Sequence, residues 1–237
     1  FRSSKVGLFA TWFTVVALIV QTAGLGLRWV ESYQMGIGHA PLSNMYESVV
    51  FFAWSIVILY LGIEWKFKTS TIGAFALPLA FLAMAYGSFA PINKGINPLV
   101  PALQSNWLLA HVVTCFIGYG AFAVAAGIGI LYLLKNLAGQ RKLAQNNPLS
   151  MLPELPVLDD LTHKTIIFGF MWLTAGIITG AVWANEAWGS WWSWDPKEVW
   201  SGITWLLYAA MIHMRLSVGW QGRRSAILGT PSSSSAM

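Results

Sequence analysis

Charged residues divide the chain into six long uncharged stretches, 6–27, 48–63, 69–93, 107–134, 165–185 and 199–214, each dominated by apolar side chains. A bilayer core of about 30 Å takes roughly 20 helical residues, within a range of about 17 to 25. Four stretches reach that length alone; 48–63 and 199–214 reach it once their flanks are added. Only helices or closed barrels satisfy backbone polar groups in lipid, and continuous apolar runs lack the period-two alternation of a barrel strand. The pattern predicts an all-α integral membrane protein with six transmembrane helices and no internal repeat.

Composition supports this reading. With 56% hydrophobic and 10% charged residues over 237 positions, the chain lacks the polar groups to cover a soluble domain. The net charge of +5 would suit a nucleic-acid partner if the cations shared one face, but they fall between the apolar runs. Taken by alternate loops, one side holds Arg2, Lys5, Lys66, Lys68, Lys135, Arg141, Lys142, Lys164, Arg215, Arg223 and Arg224; the other holds Arg28, Lys94 and Lys197. Eleven against three puts both termini of this chain in the cytoplasm and accounts for the basic charge without nucleic acid.

A cleaved signal peptide is the competing reading of the first run. Its 22 uncharged residues are long for one, and no small-x-small cleavage site follows cleanly. The loop 136–163, with Pro148, Pro153, Pro156 and then Asp159 and Asp160, reads as surface loop with a short interfacial helix. Residues 1–224 read as one polytopic domain. The tail 225–237, with Pro231 and four serines at 232–235, reads as disordered or truncated, and a start at Phe1 predicts a processed or truncated end.

The chemistry concentrates in the outer loop 184–200 between the fifth and sixth helices. Trp183, Trp188, Trp191, Trp192, Trp194, Trp200 and Trp205 place seven of the 14 tryptophans within 23 residues. An interfacial aromatic belt supplies one or two per helix end, so a broad aromatic floor for a ligand is the better account. Asp195-Pro196-Lys197-Glu198 also spells a capping box for the sixth helix, as Asn44-Met45-Tyr46-Glu47 does for the second. Such a cap would hold the tryptophan loop rigidly on a helix end.

Histidines supply candidate metal ligands. At 1.5 Å per helical residue, His111 lies roughly 6 Å below the outer boundary and His213 roughly 21 Å down. A shared metal is awkward at that offset, and two sites at two depths is simpler. His39 lies in the first outer loop and His163 in the inner loop. Ionisable residues within membrane helices are functional candidates by default, with hydrogen-bonded packing as the alternative. Imidazoles beside a tryptophan floor suit a large flat metallated ring, and haem fits, its propionates near Lys197 or Arg28. The single cysteine, Cys115, excludes an internal disulfide and reads as a packing residue. Small residues at Ala121, Ala125 and Gly129, and at Gly176 and Gly180, predict close helix packing. No catalytic residue stands out, and acidic residues are too scarce in the spans for a proton-pumping relay.

At Trp188-Gly-Ser-Trp-Trp-Ser-Trp-Asp-Pro-Lys-Glu198 the sequence resembles the CcsA (ResC) type of cytochrome c biogenesis protein, within the haem-handling family that also contains CcmC and CcmF. His39-Ala-Pro-Leu-Ser-Asn-Met-Tyr-Glu47 and the stretch from Trp172 to Trp183 agree, and the resemblance runs nearly to Arg224. It implies a multi-pass protein of a bacterial cytoplasmic or thylakoid membrane that works with a CcsB/ResB-like partner as a holocytochrome c synthase. It also implies that haem b, iron protoporphyrin IX, is carried as a substrate to the outer face and joined to the Cys-x-x-Cys-His segment of apocytochrome c. On this resemblance Trp188, Trp191, Trp192, Trp194 and Asp195 form the outer haem platform. His111 is an outer axial ligand of the haem iron and His213 the ligand of the membrane-embedded site. The family's pattern continues into a further span ending in a Gly-Leu-His-Ser-Tyr-like segment, whose histidine is the other outer ligand. This sequence ends in Ser232 to Met237 instead, so truncation is expected, with His39 the remaining outer histidine. Two other classes compete: a b-type haem electron-transfer subunit of a quinone-linked complex, and a transporter of a flat solute.

Overall fold

The computed structural model describes residues 4–140 and 148–219. The tail 225–237 lies outside the described residues, as do Arg2, Arg141, Lys142, Arg223 and Arg224. Six long helices follow one another: α1 Ser4–Gln34, α2 Met45–Phe67, α3 Gly73–Phe89, α4 Asn106–Gln140, α5 Leu155–Trp188 and α6 Pro196–Val218. Short 3₁₀ turns at Pro101–Leu103 and Pro148–Met151 precede α4 and α5.

Four of these, α1, α2, α4 and α5, carry segments long and apolar enough to cross a bilayer. The other two fall short for identifiable reasons. The 25-residue run at 69–93 yields only the 17 residues of α3, because turns occupy its start and Pro91 follows its end. In α6, Lys197, Glu198, His213 and Arg215 interrupt the apolar sequence at both ends. The chain is a multi-pass membrane protein. The expected interfacial helix before residue 163 does not stand apart either, since Leu155 already begins α5, with Pro156 in its first turn where a missing N–H costs nothing.

Contacts between helix ends set an alternating course. At one end Arg28 of α1 meets Glu47 of α2 at 2.6 Å and the Lys94 carbonyl at 2.6 Å, and the indole N–H of Trp183 donates to the Ala102 carbonyl at 2.9 Å. At the opposite end Thr11 meets Glu64 at 2.5 Å, Lys135 donates to the Leu152 carbonyl at 2.6 Å, and Arg215 pairs with Asp159 at 2.8 Å. The tryptophan loop belongs to the first end, with Arg28, Lys94 and Lys197. Lys66, Lys68, Lys135, Lys164 and Arg215 lie toward the second.

Helix α4 is the central element, with 61% of its most apolar window buried against 6% for α1. Ile56, Ile72, Val124, Ile128, Leu158 and Leu161 form the core where α2, α3, α4 and α5 meet. Against α5 the backbone of α4 comes close, because Ala121 and Ala125 are buried and small and a Cβ on Gly176 would stand 2.6 Å from Cys115 Sγ. Helix α1 turns Leu8, Phe9, Trp12, Phe13, Ile19 and Val20 outward and one row of polar groups inward. Thr14 is buried, Gln21 donates to the Val50 carbonyl at 2.8 Å, and Arg28 reaches Glu47, a stripe repeating every seven residues. In lipid the protein-facing seam is the polar one, since apolar side chains gain nothing by leaving the acyl chains.

Candidate functional site

The tryptophan loop is pinned at both ends. Helix α5 stops where Gly189 takes a left-handed φ of 75° and its N–H donates to the Asn185 carbonyl at 2.9 Å. Helix α6 starts at the expected box: Asp195 accepts from the Glu198 N–H at 2.9 Å, and Glu198 reaches back to the Ser193 N–H at 2.7 Å. Between them Trp194 is held at φ 62°, a left-handed conformation that a bulky side chain rarely adopts.

So pinned, the loop closes over α4 and α5 around a cavity of about 600 Å³. Cofactor and small-molecule sites commonly span about 300–1,000 Å³. His111 lines it, with Trp183, Trp188, Trp191 and Trp192 on the aromatic side and Asp195 and Lys197 at the polar rim. The imidazole of His111 is held from two directions. Its Nδ1 lies 2.7 Å from the Gly176 carbonyl, which can only accept, so Nδ1 carries a proton and in the neutral ring Nε2 carries the lone pair. The ring stacks on Trp183 with centroids 6.4 Å apart and planes 13° from parallel. Room for it comes from Gly180, where a Cβ would stand 2.6 Å from His111 Nδ1. An oriented imidazole with a free Nε2 is a metal ligand ready for use.

The tryptophans do not form one floor. Trp188 and Trp191 line the His111 cavity, whereas Trp194 lines a second, apolar cavity of about 420 Å³ between α5 and α6 with Ile178, Ile203 and Leu206. Trp192 borders both, its ring 5.9 Å from that of Trp194 and nearly perpendicular to it. Its indole N–H is buried without a hydrogen-bond partner, an open donor between the two spaces. Trp205 ties α6 to α5 by donating to Thr174 at 2.8 Å.

Other sequence candidates stand elsewhere. His39 is buried, with Nδ1 2.9 Å from the Ala40 carbonyl and Nε2 3.0 Å from the Asn97 carbonyl, of which a neutral ring can donate to one, and it does not line the cavity. Arg28 is committed to Glu47 and the Lys94 carbonyl, which leaves Lys197 as the cation at the cavity rim. His213 is exposed on α6, its Nδ1 3.3 Å from Ser217 Oγ, toward the end where Arg215 meets Asp159. The structure therefore joins His111 to the loop and keeps His213 apart. Cys115 packs against Gly176 with its sulfur 3.6 Å from His111 Nδ1. Sequence reasoning missed Trp183 as the stacking partner and Gly180 as the space for His111. The matched spacing of His111 with Cys115 and of Gly176 with Gly180, four residues each, was the available signal.

Residues 42–231 match the family model for the cytochrome c assembly protein. The chain belongs to that family. Within it, the chain is 40% identical to a cytochrome c biogenesis protein CcsA of Prochlorococcus marinus, over 91% of this chain and 76% of the relative. It is similarly related to CcsA of a Synechococcus strain, at 40% identity over 96% and 82%, and of Porphyra purpurea, at 38% over 97% and 82%. The matched region takes in α2 through α6, the caps of both loops and every residue lining the His111 cavity. Cytochrome c biogenesis is accordingly the role of this chain.

Proposed function

We propose that the chain binds haem b as a substrate in the His111 cavity and presents it at the outer membrane face for attachment to apocytochrome c. The observation that carries this reading is the fixed imidazole: Gly176 holds Nδ1–H, so Nε2 is left for iron inside a tryptophan-walled space. Trp188, Trp191 and Trp192 offer apolar faces to a macrocycle, Lys197 offers a cation to its propionates, and the unpartnered Trp192 N–H offers a donor to an oxygen. Asp195 acts by capping α6 and thereby holding the loop over the cavity.

Attachment itself needs no group from a resident cofactor. Each cysteine of the Cys-x-x-Cys-His segment adds its S–H across a haem vinyl group. A C–S bond forms at one vinyl carbon and the proton ends on the other, with no net oxidation. The chain's part is to hold the ring, exclude water and expose the vinyl edge. His213, exposed on α6, is assigned to an inner haem site completed by a CcsB/ResB-like partner, and the six helices are assigned to six spans. The segregation of Lys66, Lys68, Lys135, Lys164 and Arg215 at the end opposite the tryptophan loop supports a cytoplasmic face there.

The competing electron-transfer reading needs a pair of histidines across one haem. Among the described residues His111 is the one histidine lining the cavity, and the aromatic loop beside it, with Trp188 and Trp191 exposed, supports presentation of the ring at the surface. The test is to purify the chain with its partner and measure co-purified haem and c-type cytochrome formation for His111→Ala, His213→Ala and Trp192→Ala. Reduced haem in each, with cytochrome formation lost and no quinol oxidation in the wild type, is expected. Unchanged haem in all three would overturn the reading.

A further inference from the structure

Beside the His111 cavity lies the second cavity, about 420 Å³ between α5 and α6, to which the function above gives no part. Ile178 and Leu206 on its walls each stand ten residues from the loop end of their helix, about 15 Å deep at 1.5 Å per residue. Both are exposed, at 60% and 62%, so the cavity opens through the side of the bundle. The hydroxyl of Thr174 on its wall is already engaged, accepting from Trp205 at 2.8 Å and donating to the Phe170 carbonyl at 2.7 Å. The donor left over is the buried N–H of Trp192.

Ile177 and Trp192 line both cavities, so a single layer of side chains parts them. The Trp192 indole meets α6 at Gly202, where an added Cβ would stand 3.8 Å from the ring edge, an ordinary contact that leaves the ring room on that side. Down α6 the same face continues. Val199, Ile203, Leu206, Ala210 and His213 follow at intervals of four, three, four and three residues, one straight stripe of a helix. The upper three line the cavity and the lower two are exposed. His213 thus stands at the foot of this face, about 10 Å below Leu206, and His111 lies behind its upper end. Inside the bundle the way is closed, because Ala121, Val124 and Ala125 of α4 are packed to 3% exposure or less.

A ligand that uses the whole of this face is flat and apolar, binds imidazole, and carries an acceptor for the Trp192 N–H. A lipid acyl chain has no acceptor, and a partner helix is too large to pass Trp192. Haem meets all three conditions, its propionates supplying the acceptor. We propose that the α5–α6 cavity is a transient haem site, entered from the His213 end along the exposed stripe of α6, and that haem passes from it into the His111 cavity as Trp192 swings aside. The inference rests on haem binding at His111 and adds to it a route along the outside of the bundle.

The test purifies the chain with its partner and takes haem at His111 as the haem lost when His111→Ala is added to each background. Loading is compared from two sides: haem acquired in the cell, and haemin added in detergent to haem-depleted protein, which reaches His111 past the exposed Trp188 and Trp191. Leu206→Trp fills the mouth of the α5–α6 cavity and Gly202→Phe its interior. Both should lose cell-acquired haem at His111 and keep their uptake of added haemin. Leu207→Trp, also 62% exposed but outside the cavity, should load like the wild type by both routes. Undiminished cell loading in Leu206→Trp and Gly202→Phe would overturn the proposal. So would loss of added-haemin uptake in both, which would make the cavity part of the outer site's structure, or loss of the partner from Leu206→Trp, which would make it a partner's seat. If His111→Ala removes no haem from the wild type by either route, the reading of His111 itself falls, and this proposal with it.

Discussion

Two loops at the same end of the bundle begin their helices with the same device and end in opposite states. Before α2, Asn44 caps the helix and Glu47 reaches back to Ser43, whose N–H and hydroxyl both donate at 2.8 Å. Before α6, Asp195 caps and Glu198 reaches back to Ser193. In the first loop the charged groups are paired internally and the imidazole is buried. Glu47 is 1% exposed and neutralised by Arg28, and His39 has carbonyls at both ring nitrogens. In the second, Trp188, Trp191 and Trp194 are exposed, Trp192 keeps a buried N–H without an acceptor, and Trp194 holds a positive φ. One cap closes a clasp and the other holds open a surface. Unmet hydrogen-bonding capacity and backbone strain, collected where the loop faces a cavity, support the proposal that the second loop holds the ligand.

The largest effect expected of this contrast is on stability. Glu47→Ala leaves Arg28 with a largely buried, uncompensated charge and should destabilise the chain by about 3–5 kcal/mol in denaturant unfolding. A change below about 1 kcal/mol would mean that the first loop is no clasp. Next comes the second loop's neighbour: Gly180→Ala puts a methyl into the His111 ring and should weaken haem retention by about 10–100-fold with little loss of helix content by circular dichroism. Retention at the wild-type level would remove Gly180 from the site.

Asp195 separates cap from chemistry. Asp195→Ala should cost about 1 kcal/mol of stability, whereas Asp195→Asn should restore it, asparagine being as good a cap. Cytochrome formation should follow the same order, and a loss in Asp195→Asn with stability intact would give the carboxylate a role beyond capping. Smallest is Trp194→Gly, which should gain about 0.5–1 kcal/mol by relieving the left-handed backbone while leaving haem at His111 unchanged. Haem loss there would show that the two cavities act as one.

Much of this difference was legible in the sequence. Charge-free runs located the six long helices among the described residues, the two acceptor-x-x-Glu boxes located both caps, and tryptophan density pointed to the loop beside the His111 cavity. The tryptophans expected on one floor line two cavities, with Trp192 common to both and Trp194 on the α5–α6 side. His39 and Arg28 were reasonable candidates by position, but their partners, Asn97 and Glu47, are separated in sequence by 58 and 19 residues and come together only on folding. The α1 seam was hidden for a different reason. In lipid the informative residues are the sparse polar ones, Thr14, Gln21 and Arg28, rather than the hydrophobic majority.

The account turns on His111 rather than His39 holding the iron. The direct measurement is the absorption spectrum of reduced haem co-purified with the wild type, His39→Gln and His111→Gly, each with and without added imidazole. His39→Gln should keep the wild-type spectrum, and His111→Gly should lose it and recover it when imidazole fills the vacated space beside Trp183 and Gly180. A wild-type spectrum in His111→Gly without imidazole, or its loss in His39→Gln alone, would contradict the account.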